Sequence, residues 1–290
     1  MKKIAGVLLV ILGMAMFVHA IWWSPFNFFV PNAKSLEENI SMEDINSIRL
    51  DVTSEDLTIL PVDGENLKVI VNGRDLNQVD FSADLDNNEA KIELRPKWFS
   101  FSNKNELKLL VYIPRDKFVN LHITAASRVI QVGNHKGSKW NISNLNAEVS
   151  SGTCTLHNLQ IDTLNYNGTA TDVIVNRVQT RRANMETFSG NMNISHYTGA
   201  INLASTSGNI RIQLDKLIGD VRTKMISGNM DMYLPSSSSF ILKTDLQSGK
   251  VTSTYPIDLK QSSPRQTTAK SGKGDYQIET EIVNGDFIIH

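Results

Sequence analysis

Six histidines, one cysteine, a scatter of acids and many serines are the residues of this chain that could do chemistry, and their spacing restricts what that chemistry could be. His19, His122, His135, His157, His196 and His290 include no pair one helical turn apart, and no glutamate joins them in the pattern of a zinc hydrolase. They do not point to a metal centre. His122 alternates with Leu121 and Ile123, which puts it on the outer face of a strand. Cys154, the only cysteine, follows Ser151-Gly152-Thr153 on a predicted strand and reads as a small buried hydrophobe rather than a nucleophile. A lone cysteine also excludes an intrachain disulfide framework and a four-cysteine zinc site. No serine lies in a Gly-x-Ser-x-Gly elbow, and no glycine loop opens a helix to cradle phosphate.

The acids leave one enzymatic idea to weigh. Glycoside hydrolysis needs two carboxylates flanking the scissile bond, whereas Asp162, Asp172, Glu186, Asp215, Asp220, Asp231 and Asp245 fall mostly one per repeat. Asp215 and Asp231 would approach each other if they aligned on neighbouring repeats. Asp84, Asp86 and Glu89 surround the Asp86-Asn87-Asn88 turn and carry oxygen ligands suited to calcium, but the run lacks the glycine of a helix-flanked calcium loop. A solvated hairpin tip accounts for them. With 29 basic and 30 acidic side chains, the formal net charge of -1 supplies no field for nucleic acid. The expectation is a protein with no catalytic residues, no metal and no cofactor.

The elements that would position these residues are strands. Ile48, Leu50 and Val52 alternate with Arg49 and Asp51, and Leu67, Val69 and Val71 follow after a turn at 62–66. Further strands are expected over Val79–Leu85, Ala90–Leu94, Leu107–Ile113 and Val119–Thr124. From residue 147 onward Ser-Gly pairs recur, with glycines at Gly152, Gly190, Gly208, Gly228, Gly249 and Gly272. Intervals of about 20 residues suit one coil of a β-solenoid. Three repeats share a longer core, Ser-Gly-Asn followed by two apolar residues spaced by one, beginning at Ser189, Ser207 and Ser227. There the glycine supplies a turn and the asparagine can bond locally or stack on its counterpart. Because one repeat cannot bury its apolar face, the coils must stack. Gly152, Gly190, Gly208, Gly228, Gly249 and, near the end, Gly285 are the expected structural turns.

At the N-terminus, Lys2 and Lys3 precede an uncharged apolar run from Ile4 to Trp23. Twenty helical residues span ~30 Å, the thickness of a bilayer's hydrocarbon core. The expected organisation is an anchor over 1–23, a linker over 24–46 and an all-β domain over 47–290, divided into a strand region (47–130) and a Ser-Gly ladder (131–290). The two lysines would stay cytoplasmic, and Trp22 and Trp23 would sit at the far interface as membrane-anchoring residues. Val18-His19-Ala20 leaves cleavage as a secretory signal open. Either way the bulk of the chain lies outside the cytoplasmic membrane. Within the linker, Lys34 to Ile45 suits one short helix.

The Leu107–Pro114 strand, the Ser-Gly-Asn ladder, Tyr233-Leu234-Pro235 and the terminal Val283-Asn284-Gly285-Asp286-Phe287-Ile288-Ile289 together resemble the putative-adhesin β-repeat family of bacteria. With the N-terminal anchor, the layout is similar to LiaG-like membrane-anchored proteins of envelope-stress operons in Gram-positive bacteria. The resemblance covers about residues 45 to 290 and departs from the pattern at Ala126-Ser127-Arg128 and at Asn167-Gly168-Thr169, so the first coils are expected to be irregular or capping. It implies a non-enzymatic accessory or regulatory protein of the envelope-stress response, with a membrane-protein partner. The alternative is a surface adhesin or module binding a cell-wall polymer, and a polysaccharide-degrading enzyme ranks below both.

Overall fold

Buried and exposed side chains alternate along most strands, and that alternation builds the fold. In β2 (Ser47–Val52) Ile48, Leu50 and Val52 are buried, and β3 (Asp56–Val62) and β4 (Asn66–Asn72) continue the pattern. The computed structural model describes residues 35–53, 55–73, 76–97 and 107–290. The expected anchor, with Trp22 and Trp23, and residues 24–34 of the linker lie outside the described residues. Among the described residues no helix is long and apolar enough to cross a membrane, and the one helical element is a 3₁₀ turn, Leu76–Gln78.

Each coil is a pair of strand segments bent at a corner, one on each of two arms. In β10 (Trp140–His157), Leu145, Ala147 and Val149 are buried on the first arm and Cys154 and Leu156 on the second. The alternation slips phase between them, at exposed Ser150 and Ser151. β11 (Leu159–Asn176) repeats this shape and pairs with β10 in parallel register. The next coils divide between β12 (Gln179–Ser189) and β13 (Met192–Ser207), then β13 and β14 (Ile210–Lys216), then β15 (Val221–Ser227) and β16 (Met230–Tyr233). Toward the N-terminus, β8 (Asn120–Ala125) and β9 (Val129–Gly133) form the coil beside β10. β2 and β3 form the coil beyond them. Outside that lie β6 (Glu89–Pro96) and β7 (Lys108–Pro114). The stack is therefore already under way at Ser47, and residue 131 marks no break in it.

Coil order departs from chain order at both ends. The first coil in sequence, β2–β3, lies inside the later β6–β7 coil. At the other end, β21 (Tyr276–Asn284) inserts between β15 and β17 (Phe240–Ser248), parallel to both. β22 (Phe287–Ile289) likewise lies between β16 and β18 (Val251–Ser253). The C-terminal coil is thus a penultimate layer. Antiparallel strands finish the ends: β5 (Val79–Asp86) on β6, β4 on β7, and β20 (Gln266–Ser271) with β19 (Asp258–Ser262) on β17.

Two local expectations are corrected. Of the expected helix Lys34 to Ile45, the described part from Ser35 on is not helical; β1 (Ser35–Ser41) pairs antiparallel with β4 and carries a Lys68–Glu37 ion pair of 2.7 Å. A helix that short is marginal alone, whereas the open edge of β4 offers backbone partners, so part of the expected linker belongs to the β domain. Gly272 is not a coil corner: it has φ +59° in the turn between β20 and β21 and sits against Ser239. Gly168 is not one either. The residue in register with Gly152 and Gly190 is Thr171, buried and accepting a 2.9 Å hydrogen bond from Tyr166 Oη at its Oγ1.

The corners stack in the order Gly190, Gly208, Gly228, Gly285, Gly249, each N–H bonding the next coil's carbonyl where the contact is backbone to backbone. Gly208 has φ +133°, and a Cβ there would run into the carbonyl oxygen of Gly190. Only glycine satisfies both constraints. Gly152 has φ +95° and packs on the Ser127 and Arg128 carbonyls, so Ala126-Ser127-Arg128 is a true corner made without glycine. The opposite corners use left-handed Asn158 (φ 58°), Arg177 (φ 57°) and His196 (φ 52°), 19 residues apart.

Candidate functional site

Two asparagine ladders run across the coils, and they do different things. The first follows the glycines. The backbone N–H of Asn191 donates to Asp172 Oδ1 (2.9 Å), that of Asn209 to Asn191 Oδ1 (3.0 Å) and that of Asn229 to Asn209 Oδ1 (3.0 Å). Asp286 N–H continues to Asn229 Oδ1 (2.9 Å) and Lys250 N–H to Asp286 Oδ1 (2.9 Å). Each side chain satisfies a corner amide of the next coil, so this ladder holds the stack together.

The second ladder joins side chain to side chain on the outer face of the first arm. Asn165 Nδ2 donates to Asn146 Oδ1 (2.8 Å), Asn184 to Asn165 (3.0 Å) and Asn202 to Asn184 (2.8 Å). Successive coils lie ~4.8 Å apart, close enough for an amide to bridge to its neighbour. Each amide keeps a second N–H and a further acceptor position for a ligand. These asparagines form one side of a groove of about 700 Å³ that crosses β8, β10, β11, β12, β13 and β15. The opposite side is the row two residues further along each strand: Glu148, Asn167, Glu186, Ala204 and Lys224. Ala204 makes a notch between Glu186 and Lys224.

Charge in the groove is asymmetric. Arg222 is held by Asp220 (2.9 Å) and Glu279 (3.1 Å), and Lys224 by Glu281 (3.1 Å). Next to His122, in register with it, Arg49 is held by Glu89 (3.2 Å). Partial burial pushes the Glu89 carboxyl up, but its bonds from Arg49 and Ser47 outweigh this and keep it below the usual carboxylate range. Glu148 and Glu186 make no ion pair among the described residues. A second hollow, about 420 Å³, adjoins across the Ala204–Lys224 row and includes Ile226 and Val283. Exposed Phe188 lies in the same outer row as these two.

Residues 45–290 match the family described as Toastrack DUF4097. The chain belongs to the toastrack family. Similar solved structures include a putative adhesin from Bacteroides fragilis, 12% identical with TM-score 0.48, covering 89% of this chain and 98% of that one. Another is a putative lipid binding protein from Parabacteroides distasonis, 15% identical with TM-score 0.49, covering 89% and 97%. No curated protein matches the chain.

On this toastrack stack the residues weighed for chemistry are scattered. Cys154 is fully buried in a row with Ile130 and Val173, and desolvation pushes its thiol up to about 12. Asp231 lies in register with Arg211, while Asp215 sits near the other end of β14 against His196 Nδ1 (3.0 Å), so Asp215 and Asp231 do not align. His290 stacks on Tyr233 with ring centroids 4.3 Å apart. His157 packs on His135 at 4.1 Å, and desolvation, with His135 and Arg177 nearby, holds it below the usual histidine value. His122 faces outward at one end of the groove. Among the described residues no group of three histidine, cysteine, aspartate or glutamate side chains is placed to hold a metal.

The groove asparagines were missed from sequence, although their spacings of 19, 19 and 18 residues carry the coil period. A search for same-type polar residues at that period, each flanked on both sides by apolar residues, would have found them.

Proposed function

We propose that this toastrack chain is a non-catalytic binding scaffold displayed outside the cytoplasmic membrane, holding an extended ligand along the groove of its first arm. The observation that carries this reading is the in-register row Asn146, Asn165, Asn184 and Asn202, which presents the same hydrogen-bonding group at each coil beside a groove of about 700 Å³. A stacked face repeats its chemistry along one line and thus suits a ligand that repeats along its length. The N-terminal apolar run would tether the scaffold to the membrane, within reach of the envelope.

A second use is favoured by a separate feature. Phe188, Ile226 and Val283 are 63%, 54% and 39% exposed in one outer row. Such a row suits a protein contact, and this supports the accessory or regulatory role in envelope stress, with a membrane-protein partner.

Co-sedimentation of the detergent-solubilised full chain with membrane-free insoluble wall material, to which the N-terminal run has no bilayer to anchor it, tests the groove. Ala204→Trp fills the notch and is expected to abolish sedimentation with melting unchanged, while Phe188→Ser should leave it intact. Retention by Ala204→Trp would remove the groove from the function.

A further inference from the structure

The groove's period and charge narrow what can lie in it. Its hydrogen-bonding groups recur at the coil spacing of ~4.8 Å, whereas an extended peptide advances ~6.7 Å between side chains of one face. A peptide strand also binds through backbone groups at a sheet edge, which a sheet face does not offer. Hydrocarbon chains would desolvate the amides and carboxylates that edge the groove without replacing their hydrogen bonds to water. The groove cations Arg222 and Lys224 are already engaged by Asp220, Glu279 and Glu281, while Glu148 and Glu186 have no ionic partner among the described residues. An anionic polymer would meet two unneutralised carboxylates.

What fits is a chain of hydroxyl-rich units with an advance close to one coil, carrying positive charge. A β-1,4-linked pyranose chain advances by nearly that distance. Consecutive rings alternate in orientation, so the substituent at ring carbon 2 returns to the same edge on every second sugar. Glu148 and Glu186 occupy one row with Asn167 between them, in register through β10, β11 and β12, and so are two coils apart. Resting on the groove reading above, we propose that the ligand is a linear β-1,4-linked amino sugar polymer with free amines, lying along the stack. Alternate ammonium groups face Glu148 and Glu186, and ring hydroxyls bond the amides of Asn165, Asn184 and Asn202. The match ends at Lys224, whose ammonium would oppose a further amine.

Isothermal titration of the full chain with a glucosamine hexamer and with its fully N-acetylated counterpart provides the test. Two exposed ion pairs give an expected preference of about threefold to tenfold for the free-amine hexamer. Glu148→Gln with Glu186→Gln should erase that preference. Glu38→Gln with Glu65→Gln removes the same net charge elsewhere and should preserve it. Equal binding of both hexamers, or a preference that also vanishes in the Glu38 and Glu65 control, would overturn the amine assignment. Failure of both hexamers to bind, while Ala204→Trp still abolishes envelope sedimentation, would overturn the sugar class and leave the groove reading standing. Sedimentation that survives Ala204→Trp marks failure of the groove reading itself.

Discussion

At the scale of single residues, burial decides what each reactive group can do. Cys154 is fully buried with its thiol pushed up to about 12, so alkylation should be absent in the native protein at pH 8 and complete after denaturation. Mass spectrometry of iodoacetamide-treated protein checks this, and native labelling would mean the thiol faces solvent. His157 follows a sign rule: its folded-state value lies below the ordinary 6.5, so protonation favours the unfolded chain. The stability it contributes is complete above about 6.5 and is lost as pH falls through the folded value. Melting of the wild type between pH 7.5 and 5 should therefore drop more steeply than that of His157→Asn. Gly208→Val should cost about 1–3 kcal/mol from the positive φ alone, with the collision against the Gly190 carbonyl in addition. Unchanged melting would refute the stacked corner.

At the scale of elements, strand identity was legible wherever alternation was clean. β2, β5, β6, β7 and β8 fall where Ile48–Val52, Val79–Leu85, Ala90–Leu94, Leu107–Ile113 and Val119–Thr124 alternate. β1 was not legible, because Leu36 and Ile40 sit four apart as on a helix and only the edge of β4 makes that segment a strand. The Ser-Gly-Asn string announced a corner, and its asparagine does bond its counterpart one coil away. At Asn167-Gly168-Thr169, where the string departs from that pattern, the bend lies instead at buried Thr171, tied to Tyr166 and made without glycine. The two ladders should respond differently to mutation. Asn209→Ala removes the acceptor of the Asn229 N–H and should cost about 0.5–1.5 kcal/mol by urea denaturation. Asn184→Ala breaks only side-chain links and should weaken ligand binding with a smaller loss of stability.

At the scale of the whole molecule, the order of coils was beyond local sequence. Spacings between Ser-Gly pairs describe a simple ladder only while neighbours in sequence are neighbours in space. Along β13–β15 the corner bonds join residues 18 or 20 apart, but Asp286 reaches Asn229 across 57 residues and Lys250 reaches Asp286 across 36. Those pairings put the last coil inside the stack, where it joins β15–β16 to β17–β18. Since each coil is stabilised by its neighbours, deleting residues 276–290 should strip amide-exchange protection from Phe240–Ser271. Protection over Trp140–Ser207 should persist. Equal protection throughout would mean that the C-terminal coil is not the joint.

The groove as the functional surface is tested most directly by photo-crosslinking the full chain in its native envelope, with benzoylphenylalanine placed at Asn167 in the groove or at Ile174 on the outer face of the second arm. Capture of envelope material from position 167 and not from 174 is the expected result. Capture from 174 alone would place the functional surface on the other arm and contradict the account.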